Sequence, residues 1–290
     1  MKNNPGNMLK DYLELSKLRI MIPVSLTGFT GFFLFDPHIS PKIFLISAGI
    51  LLLSISASVL NQIQEKDIDA RMNRTRNRPL PTGKINTSKA VIFFLICLFS
   101  GTVILFTAGN IKAALIGLIT IFWYNIIYTY SKRLTAFAVV PGSITGALPP
   151  LIGWVAAGGG EWDKTIVFLE FLFFTGQIPH FWLMILKYGE EYKGAGLPSL
   201  TEVFNPAQIN RLTFIWTVAS VVAAIFLCNF GIIRNALIIC VLLIVSSIVV
   251  WKFSDLVRNR VDKNNYYKYS IILYSFYLII MILLITDRII

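Results

Sequence analysis

The stretch that decides the fold is KIFLISAGILLLSISASVLNQIQEKDIDARMNRTRNRPLPTG, residues 42–83. From Ile43 to Leu60 it holds only apolar residues, glycine, alanine and four serines. A helix over 42–62 rises by about 30 Å, the thickness of a bilayer's hydrocarbon core. The next residues change character at once, to Asn61, Gln62, Gln64, Glu65, Lys66, Asp67 and Asp69, then to Arg71, Arg74, Arg76 and Arg78. A helix apolar on every face that ends in dense charge is read as a membrane span meeting water.

Working outward, further apolar runs lie near 20–35, 90–109, 112–130, 135–157, 165–186, 212–231, 233–253 and 269–286. None alternates polar with apolar as barrel strands do. The fold class expected is all-α: a polytopic membrane protein of about nine transmembrane helices, in one domain over residues 1–290. Composition agrees. Of 290 residues 56% are hydrophobic and 14% charged, and the mean hydropathy is +0.69. Soluble domains carry nearly twice that charge fraction, so a soluble, disordered or coiled-coil chain is excluded.

The net charge of +11 comes from 26 Lys+Arg against 15 Asp+Glu. Its distribution follows topology, and no nucleic-acid partner is expected. With the N-terminus cytoplasmic, 21 of the 26 basic residues fall on inner segments; Lys42, Lys112, Lys164, Arg234 and Arg288 are left outside. That asymmetry orients the chain. No cleaved signal peptide is read in the first nineteen residues, which lack an apolar core before a small-residue site. Cys97, Cys228 and Cys240 sit in apolar runs, with neither metal-site nor disulfide spacing.

Two long inner connectors are expected, near 66–89 and 187–211, each following a helix with acids at its inner end. On the first helix Asn61, Glu65 and Asp69 recur every four residues and form one oxygen-bearing stripe, while Asp67 points elsewhere. Pro79 and Pro81 end any helix, so the arginine-rich run is expected to fold back over that stripe. Carboxylates at membrane depth are costly and mark functional paths. Beside four arginines they suit a phosphate-bearing ligand bridged by magnesium, which takes a carboxylate or two plus substrate oxygens. The second cluster, His180, Met184, Lys187 and Glu191, follows steps of four, three and four on one face, with Pro179 expected to kink the helix before His180. Imidazole serves as an axial haem ligand, a proton carrier or a structural hydrogen-bonding group. The Pro149-Pro150 pair is expected to break the fifth helix.

The stripe, with the arginine run ending at Arg78-Pro79, resembles the first motif of the UbiA-type intramembrane prenyltransferases. More narrowly the chain is similar to their haem O synthase branch. The segments Tyr128-Thr-Tyr-Ser-Lys132-Arg133, Gly142 to Trp154 and Gln177-Ile-Pro179-His180-Phe181 to Pro198 carry the same likeness. Adjacent Glu190 and Glu191 stand where many members carry a second DxxxD, and Gly176 stands where that branch commonly has Trp.

The resemblance implies helices around a central cavity in a bacterial-type inner membrane, with the site facing the cytoplasm. It implies farnesyl diphosphate and haem B as substrates and Mg2+ as cofactor. Asn61, Glu65 and Asp69 would hold the metal; Arg19, Arg74, Arg78, Lys132 and Arg133 the diphosphate; Tyr128, His180 and Lys187 the acceptor. Glu191 or His180 would handle the proton of an added water. Contact with haem A synthase or oxidase assembly proteins follows from the same resemblance. A quinone-precursor prenyltransferase and a secondary transporter of an anionic lipid or organic anion are the rival readings.

Overall fold

The computed structural model describes residues 5–258, 261 and 265–290. Lys2, Arg260 and Lys263, three of the basic residues assigned to the inner side, lie outside the described residues. Among those described there is no strand, and nine helical segments are long and apolar enough to cross a membrane.

A short helix, α1 (Pro5–Leu15), precedes the first span. Its Leu15 is buried, and the Leu15 carbonyl accepts from Gln62 Nε2 at 2.6 Å. The spans follow as α2 (Leu18–Phe35), α3 (Pro41–Gln64) and α5 (Thr87–Ile104), with the short α4 (Lys66–Arg71) between the last two. The third span closes with a π-helical turn, Leu105–Gly109. The fourth is built from α6 (Ile111–Phe122), a second π turn (Trp123–Tyr128) and α7 (Thr129–Leu134). Then come α8 (Val139–Ala157), α9 (Lys164–Gly194), the single-turn α10 (Leu200–Val203), α11 (Pro206–Asn229), α12 (Ala236–Val257) and α13 (Tyr266–Ile289).

The spans pack side by side. Helix α3 packs on α5 and α2, α2 on α8, α8 on α9, α9 on α11, α11 on α12 and α12 on α13, which returns against α2 and α9. Lipid offers no hydrophobic drive between helices, so close packing of small residues takes its place. The α2–α8 crossing shows this best, because a Cβ on Gly31 or Gly153 would collide with the backbone of the opposite helix.

Three expectations need correction. Helix α8 is not broken at Pro149-Pro150; it runs unbroken through both. Each proline removes one i−4 bond, and the buried crossing with α2 holds the helix together across that gap. Helix α9 extends eight residues beyond the expected end at 186. The second inner connector is thus mostly helix, from the end of α9, α10 and the start of α11, with the turn 195–199 between α9 and α10.

Candidate active site

The site begins where α3 ends. Asn61, Glu65 and Asp69 are 2%, 8% and 4% exposed. Glu65 leaves helical geometry at φ −105° and ψ 10°, yet its amide still bonds the Asn61 carbonyl at 2.9 Å. The Asp69 amide bonds the Glu65 carbonyl at 2.8 Å. The four-residue spacing therefore survives the break, and the stripe read from sequence is intact.

The arginine run does fold back over it. Thr75 Oγ1 donates to the Asp69 carbonyl at 2.9 Å, and Arg78 Nη1 donates to Asp69 Oδ2 at 2.6 Å. Leu80, between the two prolines, is fully buried beside Leu15 and Val59. From the fourth span Lys132 Nζ pairs with Glu65 Oε1 at 2.5 Å and lies over the Tyr128 ring at 4.9 Å. Arg133 Nη2 donates to the Gln64 carbonyl at 2.8 Å, so it ties the last turn of α3 in place.

Helix α7 owes its orientation to the π turn before it. Thr129 Oγ1 donates to the Tyr124 carbonyl five residues back, at 2.9 Å, and accepts from Asn61 Nδ2 at 3.1 Å. One additional residue in a turn rotates every later side chain of the span by about 100°. Lys132 thereby meets Glu65.

The other expected residues divide. Arg74 joins the two polar clusters: its backbone amide donates to Glu191 Oε2 at 3.0 Å, and its guanidinium lies over Tyr188 at 5.3 Å. Lys187 lies over Tyr188 and Tyr267, at 5.1 Å and 5.2 Å. His180 has its Nδ1 2.7 Å from the Tyr274 hydroxyl. His180 and Lys187 therefore share the α9 face towards α13, whereas Glu191 reaches the arginine loop. Arg19 is exposed at the start of α2.

Sequence reasoning misses Lys17, which is half-buried between α1 and α2. Its φ of 47° is the only positive value at a non-glycine among the described residues. Burial, and then the positive charges of Arg78 and Lys132, hold the Lys17 ammonium down at about 7, against the pull of Asp69 and Glu65. A diphosphate bound beside it, as the resemblance implies, would favour the protonated form. Affinity for a non-hydrolysable prenyl thiodiphosphate is therefore expected to fall as pH rises through about 7. Lys17→Met should remove that component of the pH profile, and Lys17→Arg should keep the affinity high into alkali. An identical profile in all three proteins would refute the assignment.

Below these charges an apolar cavity of about 200 Å³ enters the bundle, lined among others by Ile20, Ile50, Leu53, Tyr124, Ile152 and Gln177. Helix α9 presents Gln177 to this space; His180 is not among the lining residues.

Asn61 Nδ2 is committed to Thr129, which leaves its carbonyl oxygen available. Glu65 and Asp69 each commit one carboxylate oxygen to a cation and keep the other. Among the described residues no three His, Cys, Asp or Glu cluster as a metal cage. Two carboxylates and an amide oxygen fit a hard divalent ion that completes its shell with water and phosphate oxygens.

The UbiA prenyltransferase family model matches residues 24–280. Protoheme IX farnesyltransferase of Oleidesulfovibrio alaskensis is 37% identical over 220 residues, 76% of this chain and 78% of that protein. That of Aquifex aeolicus is 39% identical over 197 residues, 67% of each. Among solved structures, one reported for digeranylgeranylglyceryl phosphate synthase superposes with a TM-score of 0.77 at 22% identity, covering 97% of this chain and 98% of that one. A UbiA homologue from Archaeoglobus fulgidus bound to GPP and Mg2+ gives 0.68 at 19% identity, covering 96% and 98%. Sequence and fold agree across these relatives, and the chain belongs to the UbiA prenyltransferase family.

Proposed function

We propose that this chain, acting as one domain over residues 1–290, transfers the farnesyl group of farnesyl diphosphate to a vinyl group of protoheme IX. Water adds in the same reaction, and haem O and diphosphate are released. The observation that carries the reading is the convergence of Arg78 and Lys132 on Asp69 and Glu65, with an apolar cavity lined by Ala57 and Ser58 one to two turns back along α3. The narrow substrate assignment is supported by relatives named protoheme IX farnesyltransferase.

Asn61, Glu65 and Asp69 are assigned as magnesium ligands. Bound magnesium neutralises charge on the departing diphosphate. Arg78 and Lys132, with Arg19, Arg74 and Arg133 around the rim, hold the phosphate oxygens, where negative charge grows as the allylic C–O bond breaks. The apolar cavity keeps bulk water from the allylic cation. The farnesyl C1 then bonds the terminal vinyl carbon, a water oxygen bonds the other, and the proton lost from that water passes to Glu191 or His180. Tyr128, His180 and Lys187 form the acceptor side. Orientation follows from the charge asymmetry: N-terminus and site face the cytoplasm of a bacterial-type inner membrane. Haem A synthase or oxidase assembly proteins are the proposed protein partners.

The deciding experiment incubates purified protein with farnesyl diphosphate, Mg2+ and haem, followed by mass analysis of the porphyrin. Hydroxyethylfarnesyl haem is the expected product. Prenylation of 4-hydroxybenzoate but not haem would refute the acceptor.

A further inference from the structure

Resting on the farnesyl-transfer reading, we infer that Tyr274 is a positioning residue: its hydroxyl engages one ring nitrogen of His180 and leaves the other free for the haem acceptor. The hydroxyl lies 2.7 Å from Nδ1 and 2.9 Å from Nε2. The two rings are 4.8 Å apart and inclined at 49°. A neutral imidazole has one donor and one acceptor nitrogen, and a single hydroxyl serves one of them at a time. Among the described residues neither side chain has another hydrogen-bond partner. A metal-ligating histidine is held in this way through its second nitrogen, which fixes the tautomer and strengthens the ligand.

The seam between α9 and α13 makes the contact. Three meetings repeat along it: Gly176 with Tyr277, His180 with Tyr274 and Lys187 with Tyr267. Each step along α9 is matched by a step of similar length back along α13, so the two helices run antiparallel in one register. A Cβ on Gly176 would collide with the Tyr277 hydroxyl. The glycine that stands where Trp is common in the haem O synthase branch therefore lets α13 sit close to α9 one turn from His180, within reach of Tyr274. Lys187 lies on the same face, about 10 Å along the axis towards the inner surface. Its ammonium stands over the Tyr188 and Tyr267 rings. A haem presents iron at its centre and carboxylates at one edge; this face offers a nitrogen and a cation in that order.

Two measurements on purified protein in nanodiscs test this, with Tyr274→Phe, which keeps the ring and removes one oxygen. The chain has only two histidines, His38 and His180, so imidazole nitrogen-15 NMR reads His180 directly, without ligand. Tyr274→Phe is expected to move the His180 signals and leave those of His38, which bonds Asp36. Haem titration followed by the Soret band is expected to show binding weaker by about tenfold or more, the scale of losing the partner of a metal-ligating histidine. Prenyl thiodiphosphate affinity should stay at the wild-type value. In a His180→Ala background, Tyr274→Phe should cost nothing further. Unmoved His180 signals would overturn the inference, as would wild-type haem affinity in Tyr274→Phe or an equal loss in the His180→Ala background. A wild type that binds no haem, while its His180 signals still respond to Tyr274→Phe, would refute the acceptor assignment and leave the hold of Tyr274 on His180 standing.

Discussion

Glu65→Gln together with Asp69→Asn is expected to lower kcat for farnesyl transfer by about a thousandfold or more, the scale seen when charge-stabilising groups are lost from a transition state. The same variant should bind prenyl thiodiphosphate in metal-free buffer more tightly than the wild type. Glu65 and Asp69 neutralise Lys132 and Arg78 through contacts of 2.5 Å and 2.6 Å. With the carboxylates replaced by amides, those two cations and Lys17 face the phosphates unopposed. Tighter binding with lost turnover is a pattern that misfolding does not produce. Near wild-type turnover from the double variant would remove these carboxylates from the chemistry. Weaker metal-free binding with a normal melting curve would contradict the balance between these carboxylates and cations.

Gly153→Val is expected to be the most damaging single change to stability, costing more than about 4 kcal/mol, the range reserved for severe overpacking. Its Cβ would collide with the Gly28 carbonyl and lie 2.9 Å from the Phe32 amide nitrogen. Both are backbone atoms of α2, which cannot move aside as a side chain can. Gly160 is the matched control, because a Cβ there meets nothing within 4 Å; Gly160→Ala should melt like the wild type. Thermal unfolding in one detergent compares the three. A Gly153→Val protein melting with the wild type would show that the α2–α8 crossing is not tight.

Much of the molecule is legible in the sequence because its causes are local. Hydropathy marks the spans, since each must be apolar along its length. The spacing of Asn61, Glu65 and Asp69 puts them on one face, and Pro79 and Pro81 force the fold-back that brings Arg78 to Asp69. The features that escape such reading depend on other parts of the chain. Pro149-Pro150 looks like a break because propensity is counted along one helix, whereas α2 holds α8 together from outside. The π turns carry no periodic signature, so neither the meeting of Lys132 with Glu65 nor the part of Thr129 in holding Asn61 can be read. Lys17 looks like one more topological anchor; its burial depends on α1 folding under α3. Spacing puts the second cluster on one face, and the structure keeps His180 and Lys187 together but sends Glu191 to Arg74.

The π turn at Trp123–Tyr128 has a consequence for how this span tolerates insertions and deletions. Excising one residue from it would rewind the segment into ordinary helix, as apolar and as able to insert as before. Yet Thr129, Lys132 and Arg133 would all rotate together by about 100°, away from Asn61, Glu65 and the Gln64 carbonyl. Hydropathy would register no defect, and the contacts of Lys132 with Glu65 and of Arg133 with the Gln64 carbonyl would be lost. The length of this span is thus under a constraint that the membrane does not impose.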